Sequence, residues 1–134
     1  MNYWLVKSDP ETYSLKDFIK DKKTVWDGVR NYAARLHLRA MKKGDGLLFY
    51  HSNLDAGVLA TARVSKEFFP DPTAKDGDWS AIEIEYVKSF KNPVSLATIK
   101  ADKRLQNMAL VKISRLSVSP VKKEEYDIIV GMGS

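Results

Sequence analysis

The chain has no cysteine and only two histidines, His37 and His51, in 134 residues. The first absence excludes disulfides and thiolate chemistry, and two imidazoles are too few to build a zinc site. No apolar run approaches the roughly 20 residues that a membrane-spanning helix needs. The N-terminus, Met1-Asn2-Tyr3-Trp4-Leu5-Val6-Lys7, lacks the basic segment and apolar stretch of a secretory leader. The expected location is a reducing aqueous compartment: the cytoplasm, or the nucleus if the source is a eukaryote. Internal repeats and low-complexity segments are also missing. No glycine-flanked serine elbow surrounds Ser52, and His51 and Ser52, as strand neighbours, point to opposite faces, so the pair does not read as a hydrolase. Gly131-Met132-Gly133 has no strand before it and no helix after it, which removes a dinucleotide fingerprint and leaves a helix stop. Neither a cofactor nor a metal is expected.

What is present fits one domain spanning residues 1–134, with 44% hydrophobic content and no linker. Twenty-two Lys and Arg against seventeen Asp and Glu leave a formal charge of +5, which leans toward polyanionic partners.

Residues 3–6 form an apolar run that reads as a buried strand, stopped at Lys7-Ser8-Asp9-Pro10. Ser14 and Asp17 have capping spacing, and Leu15, Phe18 and Ile19 then recur at helical intervals up to the charged turn 20–23. A second helix begins near Asn31, turns Ala34, Leu38 and Met41 inward, and ends at Lys43-Gly44-Asp45. Its other face carries Tyr32, Arg35, Arg39 and Lys43. Strands follow at 47–51, 58–64 and 81–87, where Ile82, Ile84 and Tyr86 alternate with Glu83, Glu85 and Val87. That alternation assigns the two carboxylates to the solvated side of a sheet rather than to acid–base chemistry. Segment 52–57 reads as a hairpin connection and 69–78 as a proline-punctuated surface loop. A helical turn after Ser95, a strand at 116–119 and a last helix ending at Gly131 complete the chain. The fold class is α+β: five or six mostly antiparallel strands able to curl into a small barrel, with helices inserted between them.

The densest functional signal is Val25-Trp26-Asp27-Gly28-Val29-Arg30-Asn31-Tyr32-Ala33-Ala34-Arg35. Trp26 offers a face for stacking, Gly28 lets backbone amides approach a base edge, and Arg30 and Arg35 present forked donors that match phosphate. Plainer readings stand beside these. Trp26 also suits a core or rim position, the Tyr32, Arg35, Arg39, Lys43 face also suits solvent, and Ser8 and Asp9 also suit a turn cap. Arg115, Ser117 and Ser119 alternate with Leu116 and Val118, giving a polar row suited to reading a base edge if it faces a barrel mouth.

Six separated segments together resemble the EVE domain family: Tyr3-Trp4-Leu5-Val6-Lys7-Ser8-Asp9-Pro10, the segment from Trp26 to Arg35, Leu48-Phe49-Tyr50-His51-Ser52, Pro70-Asp71-Pro72-Thr73, Met108-Ala109-Leu110-Val111 and Ser114-Arg115-Leu116-Ser117-Val118. The resemblance implies a PUA-like fold related to YTH domains, and a non-catalytic pocket that takes a flipped, often modified base. In the family pattern Lys7 and Ser8 match a strand-end dipeptide beside the pocket, Trp26 the aromatic under the base, and Asp27 and Gly28 the turn that meets the base edge. Arg30, Asn31, Tyr32 and Arg35 match an entry-helix motif, and His51, Ser52, Arg115 and Ser117 match residues around the mouth. The chain departs from the pattern with Asp9 for glutamate, Ala33 for glutamine and Leu36 for asparagine.

The expectation is therefore base capture without chemistry. The ring lies on Trp26, Tyr32 closes the other side, and amides near Asp27 and Gly28, with Ser8 or Ser52, read the edge. Arg30, Arg35, Arg39 and Lys43 hold phosphates. The expected partner is DNA or RNA carrying a methylated base, bound by a monomer with no membrane involved. Two alternatives stand: an enzyme or accessory subunit acting on modified nucleic acid, and a protein-binding module with a vestigial pocket.

Overall fold

The computed structural model describes residues 1–53 and 55–134. The chain runs β1 (Tyr3–Ser8), α1 (Leu15–Asp21), β2 (Lys23–Trp26), α2 (Tyr32–Ala40), β3 (Gly46–His51), β4 (Gly57–Pro70), β5 (Ser80–Ser95), α3 (Leu96–Ala101), a 3-10 turn (Lys103–Leu105), α4 (Ala109–Lys112), β6 (Val118–Val121) and α5 (Lys123–Gly133). The strands form one mixed sheet in the order β2-β5-β4-β3-β1-β6. β1 and β3 pair in parallel, and the other ladders are antiparallel.

The barrel does not close. Among the described residues, β2 and β6 form the two edges of the sheet and do not pair. Both are only four residues long, and Pro120 in β6 has no N–H to offer a further ladder. β1 and β3 sit inside the sheet and are buried on both faces, which explains their unbroken apolar runs. Trp4, Val6, Leu47 and Phe49 enter one core with Phe18, Ala34, Leu38 and Met41, whereas Leu5, Leu48 and Tyr50 enter the other with Val58, Ile99 and Ile129.

Local signals place the helices near the site. The Ser14 side chain accepts the Asp17 N–H, and the Asp17 carboxylate accepts the Ser14 N–H, so α1 starts at Leu15. The Asn31 side chain accepts the Ala34 N–H and fixes the start of α2, whose Ala34 and Leu38 are fully buried. α2 stops at Ala40, earlier than its periodicity suggests, because Met41 turns to extended backbone and Gly44 takes a left-handed φ of 93°. Lys43 therefore lies in a turn and not on the helix face with Arg35 and Arg39.

Other boundaries shift for visible reasons. β4 and β5 are far longer than expected, since their outer halves are exposed and carry Lys66, Glu67, Lys88 and Asn92, and repeated register shifts break the alternation. Of the connection 52–57, Leu54 lies outside the described residues. The last strand starts at Val118, which leaves Arg115 in a turn and ends the supposed polar row, because Ser119 is buried. α5 continues through Gly131 to Gly133, so Gly131 is no helix stop. Gly133 is needed where it is: a Cβ there would lie 2.4 Å from Cδ2 of Phe90.

Candidate functional site

The edge strand β2 and the end of β1 border one cleft of about 480 Å³, within the usual size of a small-ligand site. Thr24, Val25 and Trp26 of β2 line one side, Lys7 and Ser8 of β1 with Ser117 line the other, and Thr12, Tyr13 and the turn 27–30 complete the rim.

Trp26 is half-buried at the end of β2. Its ring makes edge-to-face contacts with Tyr13 (centroids 6.2 Å, 82°) and Phe49 (5.9 Å, 78°). Phe49 belongs to the core, so the indole is braced from behind while its residue lines the cleft. Tyr13 is the wall the sequence did not reveal. Burial, helped by a 2.9 Å bond to Asp21 against an opposing contact from Thr24, pushes its phenol up to about 12, so it stays protonated and donates. Ser8 is buried and donates its hydroxyl to the Tyr13 carbonyl, tying the end of β1 to the segment that carries the ring. The Lys7 ammonium donates to the Ser114 carbonyl at 2.7 Å, and burial lowers its pKa. The Lys7 N–H donates to the Ser117 carbonyl at 2.9 Å.

The turn after Trp26 is locked from beneath. Gly28 adopts φ 75° with open space where a Cβ would sit, so backbone sign and not crowding calls for glycine. Its N–H donates 2.8 Å to Asp71 Oδ2, which also accepts from Arg30 Nη1 at 2.9 Å, while Asp71 Oδ1 accepts from the Thr73 N–H and hydroxyl at 2.7 Å each. Burial alone would raise the Asp71 carboxyl. Bonds from the Thr73 hydroxyl, Arg30, the Thr73 N–H and the Gly28 N–H outweigh it and hold the pKa at about 2. The proline-punctuated loop is thus anchored to the cleft rim through its first residue, and the Gly28 amide expected to meet a base edge is already committed to a carboxylate.

Three of the four residues expected to hold phosphate also bind this loop. Arg30 pairs with Asp71, Arg35 Nη1 donates to the Asp78 carbonyl at 2.8 Å, and Arg39 reaches the Ser80 hydroxyl, the Asp78 carbonyl and the Asp78 carboxylate. Tyr32 does not line the cleft. It stacks on Trp79 of the same loop with centroids 5.3 Å apart and planes at 24°. Asn31 is occupied as the α2 cap.

The remaining candidates lie elsewhere. His51 Nε2 accepts the Leu15 N–H at 2.9 Å, and burial lowers its pKa, both of which favour neutral imidazole. Ser52 donates to the Ser8 carbonyl from the far side of the β1 terminus. Neither lines the cleft, nor does Arg115. His51 instead borders a wider depression of about 700 Å³ with Pro93, Leu96 and Lys100, which has no Trp, Tyr or Phe wall among the described residues. Of the expected pocket residues the structure brings together Lys7, Ser8, Trp26, Asp27, Gly28 and Ser117, with Arg30 at the rim.

An open, mixed six-stranded sheet with helices inserted between its strands is a PUA-like architecture. The chain belongs to the EVE domain family, whose model matches residues 2–132. Its structure is similar to that of protein Atu2648 from Agrobacterium tumefaciens, with a TM-score of 0.95 and 42% identity over 100% of this chain and 94% of that one. It is similar to human THYN1 solved in complex with 5-methylcytosine-containing DNA, with a TM-score of 0.92 and 32% identity over 100% and 98% of the two chains. The YTH domain of Zygosaccharomyces rouxii MRB1 shares the fold, with a TM-score of 0.65 at 15% identity over 99% of this chain and 86% of that one. No helix among the described residues is long and apolar enough to cross a membrane.

Proposed function

We propose that this chain captures a flipped, methylated base in the cleft and does no chemistry on it. The observation that carries the reading is Trp26, half-buried, braced by Phe49 and set beside Tyr13 in the wall of a base-sized cleft. The similarity to THYN1, solved with 5-methylcytosine-containing DNA, supports a methylated base as the occupant. One base face lies against Trp26 and Tyr13 supplies the second wall, the role expected of Tyr32. The Asp27 carboxylate at the rim suits the exocyclic amine of a cytosine, an acceptor-to-donor match used in groove readout. One chain supplies every residue of the cleft, so a monomer suffices.

Magnitudes assign the remaining work. Unstacking a base costs a few kcal/mol and one aromatic stack returns about 1 to 3 kcal/mol, so phosphate contacts supply the rest. A buried methyl adds only about 0.8 kcal/mol. The guanidiniums of Arg30, Arg35 and Arg39 each carry five donors and use some of them on the loop, which leaves them able to share a phosphate. Lys7 at the cleft mouth is a further cation, whereas Lys43 sits outside the cleft in the turn after α2, with its N–H on the Glu67 carboxylate.

The test is a titration of a single-stranded DNA carrying one 5-methylcytosine against its unmethylated twin at several salt concentrations, followed by mass analysis of the DNA. Tighter binding of the methylated strand is expected, with log affinity falling linearly in log salt by about 0.7 for each phosphate neutralised. Equal affinity with a flat salt response would favour a protein-binding module, and an altered mass would favour an enzyme.

A further inference from the structure

We propose that Tyr32 and Trp79 form a second stacking platform, outside the cleft, for the unpaired base that adjoins the captured one in a DNA strand. The proposal rests on the cleft reading, because it needs a strand already held there. Tyr32 is 69% exposed on the first turn of α2, where its ring stacks on Trp79 and so belongs to an aromatic patch instead of standing alone. Its stack on Trp79 does not explain that exposure through loop anchoring, since Asp71 and the Arg39–Asp78 pair already fix both ends of the loop.

Charge and continuity identify the occupant. The Arg35 guanidinium lies 5.0 Å from the Tyr32 ring centre and 5.3 Å from that of Trp79, and Arg30 lies 5.5 Å from Trp79. Arg39 lies 5.8 Å from Phe68, another exposed ring. Aromatic faces interleaved with guanidiniums are the combination that single strands use, bases on the rings and phosphates on the cations. Arg30, Arg35 and Arg39 outnumber the Asp71 and Asp78 carboxylates that pair with them, and Lys75 and Asp76 of the loop cancel. Arg30 belongs to both places: it lines the cleft and lies over Trp79, so the platform starts where the cleft ends. A flipped nucleotide in the cleft would place its neighbour beside these rings, already unstacked on one side and in need of a surface.

Tyr32→Ala tests this with two probes, 5-methyl-2′-deoxycytidine monophosphate and a short single-stranded DNA with one central 5-methylcytosine. The exposed position protects the fold, which an unchanged melting temperature confirms, and Tyr32→Phe should behave as the parent. The strand is expected to lose about five- to a hundredfold in affinity while the mononucleotide is unaffected. Trp26→Ala should weaken both. An unchanged affinity for the strand in Tyr32→Ala overturns the platform and leaves the cleft standing, and an equal loss for both probes also overturns it, since Tyr32 would then shape the cleft. Failure of the cleft reading has a different signature: Trp26→Ala leaves both affinities intact.

Discussion

Trp26→Ala is expected to weaken binding of a 5-methylcytosine nucleotide by about five- to a hundred-and-fifty-fold, the 1 to 3 kcal/mol that one aromatic stack supplies. Trp26→Phe should recover part of the loss, because a smaller ring keeps a face. The indole also packs on Tyr13 and Phe49, so truncation will cost stability as well. Full burial of a tryptophan would put that cost at about 3 to 5 kcal/mol, and a half-buried ring on an edge strand should fall below it. Affinity is therefore measured well under the melting temperature of each variant. A folded alanine variant that binds as tightly as the parent would remove Trp26 from the site.

Asp71→Asn is expected to be the most damaging polar change near the cleft. The carboxylate accepts four bonds from Gly28, Arg30 and Thr73, and an amide places an NH2 against donors on one side. Leaving buried donors and a guanidinium without that acceptor should cost about 2 to 4 kcal/mol, or roughly 10 °C in melting temperature for a domain of this size. The same group sets an acid response. Its pKa in the fold, about 2, lies below the ordinary 3.8, so its stabilisation is fully present above pH ~4 and is lost as pH falls toward 2. That stabilisation is about 2 kcal/mol at most, because Arg30 is 39% exposed and solvent screens its share. Comparing melting temperatures at pH 7 and pH 3 checks both points: the gap between parent and variant should narrow in acid. A variant as stable as the parent at pH 7 would show that the carboxylate does not hold the Gly28 turn.

What was legible in the sequence was local. The Ser14–Asp17 box, the Asn31 cap and the Ala34, Leu38 stripe each involve residues within a turn or two of one another, and the structure forms them as read. The apolar run at residues 3–6 reads as a buried strand, and β1 sends its side chains into both cores. What was not legible depends on contacts between distant segments. Tyr13 sits in a loop between β1 and α1, and only the curl of the sheet brings it to Trp26. Asp71 follows a proline and reads as a solvated loop residue, yet it is buried because Gly28 and Arg30, about forty positions away, supply its donors. Tyr32 stands six residues after Trp26, which suggested a shared pocket. The left-handed turn at Gly28 and the start of α2 send it to Trp79 instead. Whether the barrel closes was equally hidden, since it turns on how short the two edge strands are.

The most direct test of the cleft as the base site is a chemical-shift map of the uniformly labelled protein titrated with 5-methyl-2′-deoxycytidine monophosphate. The expected result is a set of shifts centred on the Trp26 indole, with Lys7, Ser8, Tyr13, Gly28 and Ser117 moving at the same concentration and the His51, Leu96, Lys100 depression silent. Shifts centred on that depression, or a Trp26 indole that stays in place while the ligand binds elsewhere, would contradict it.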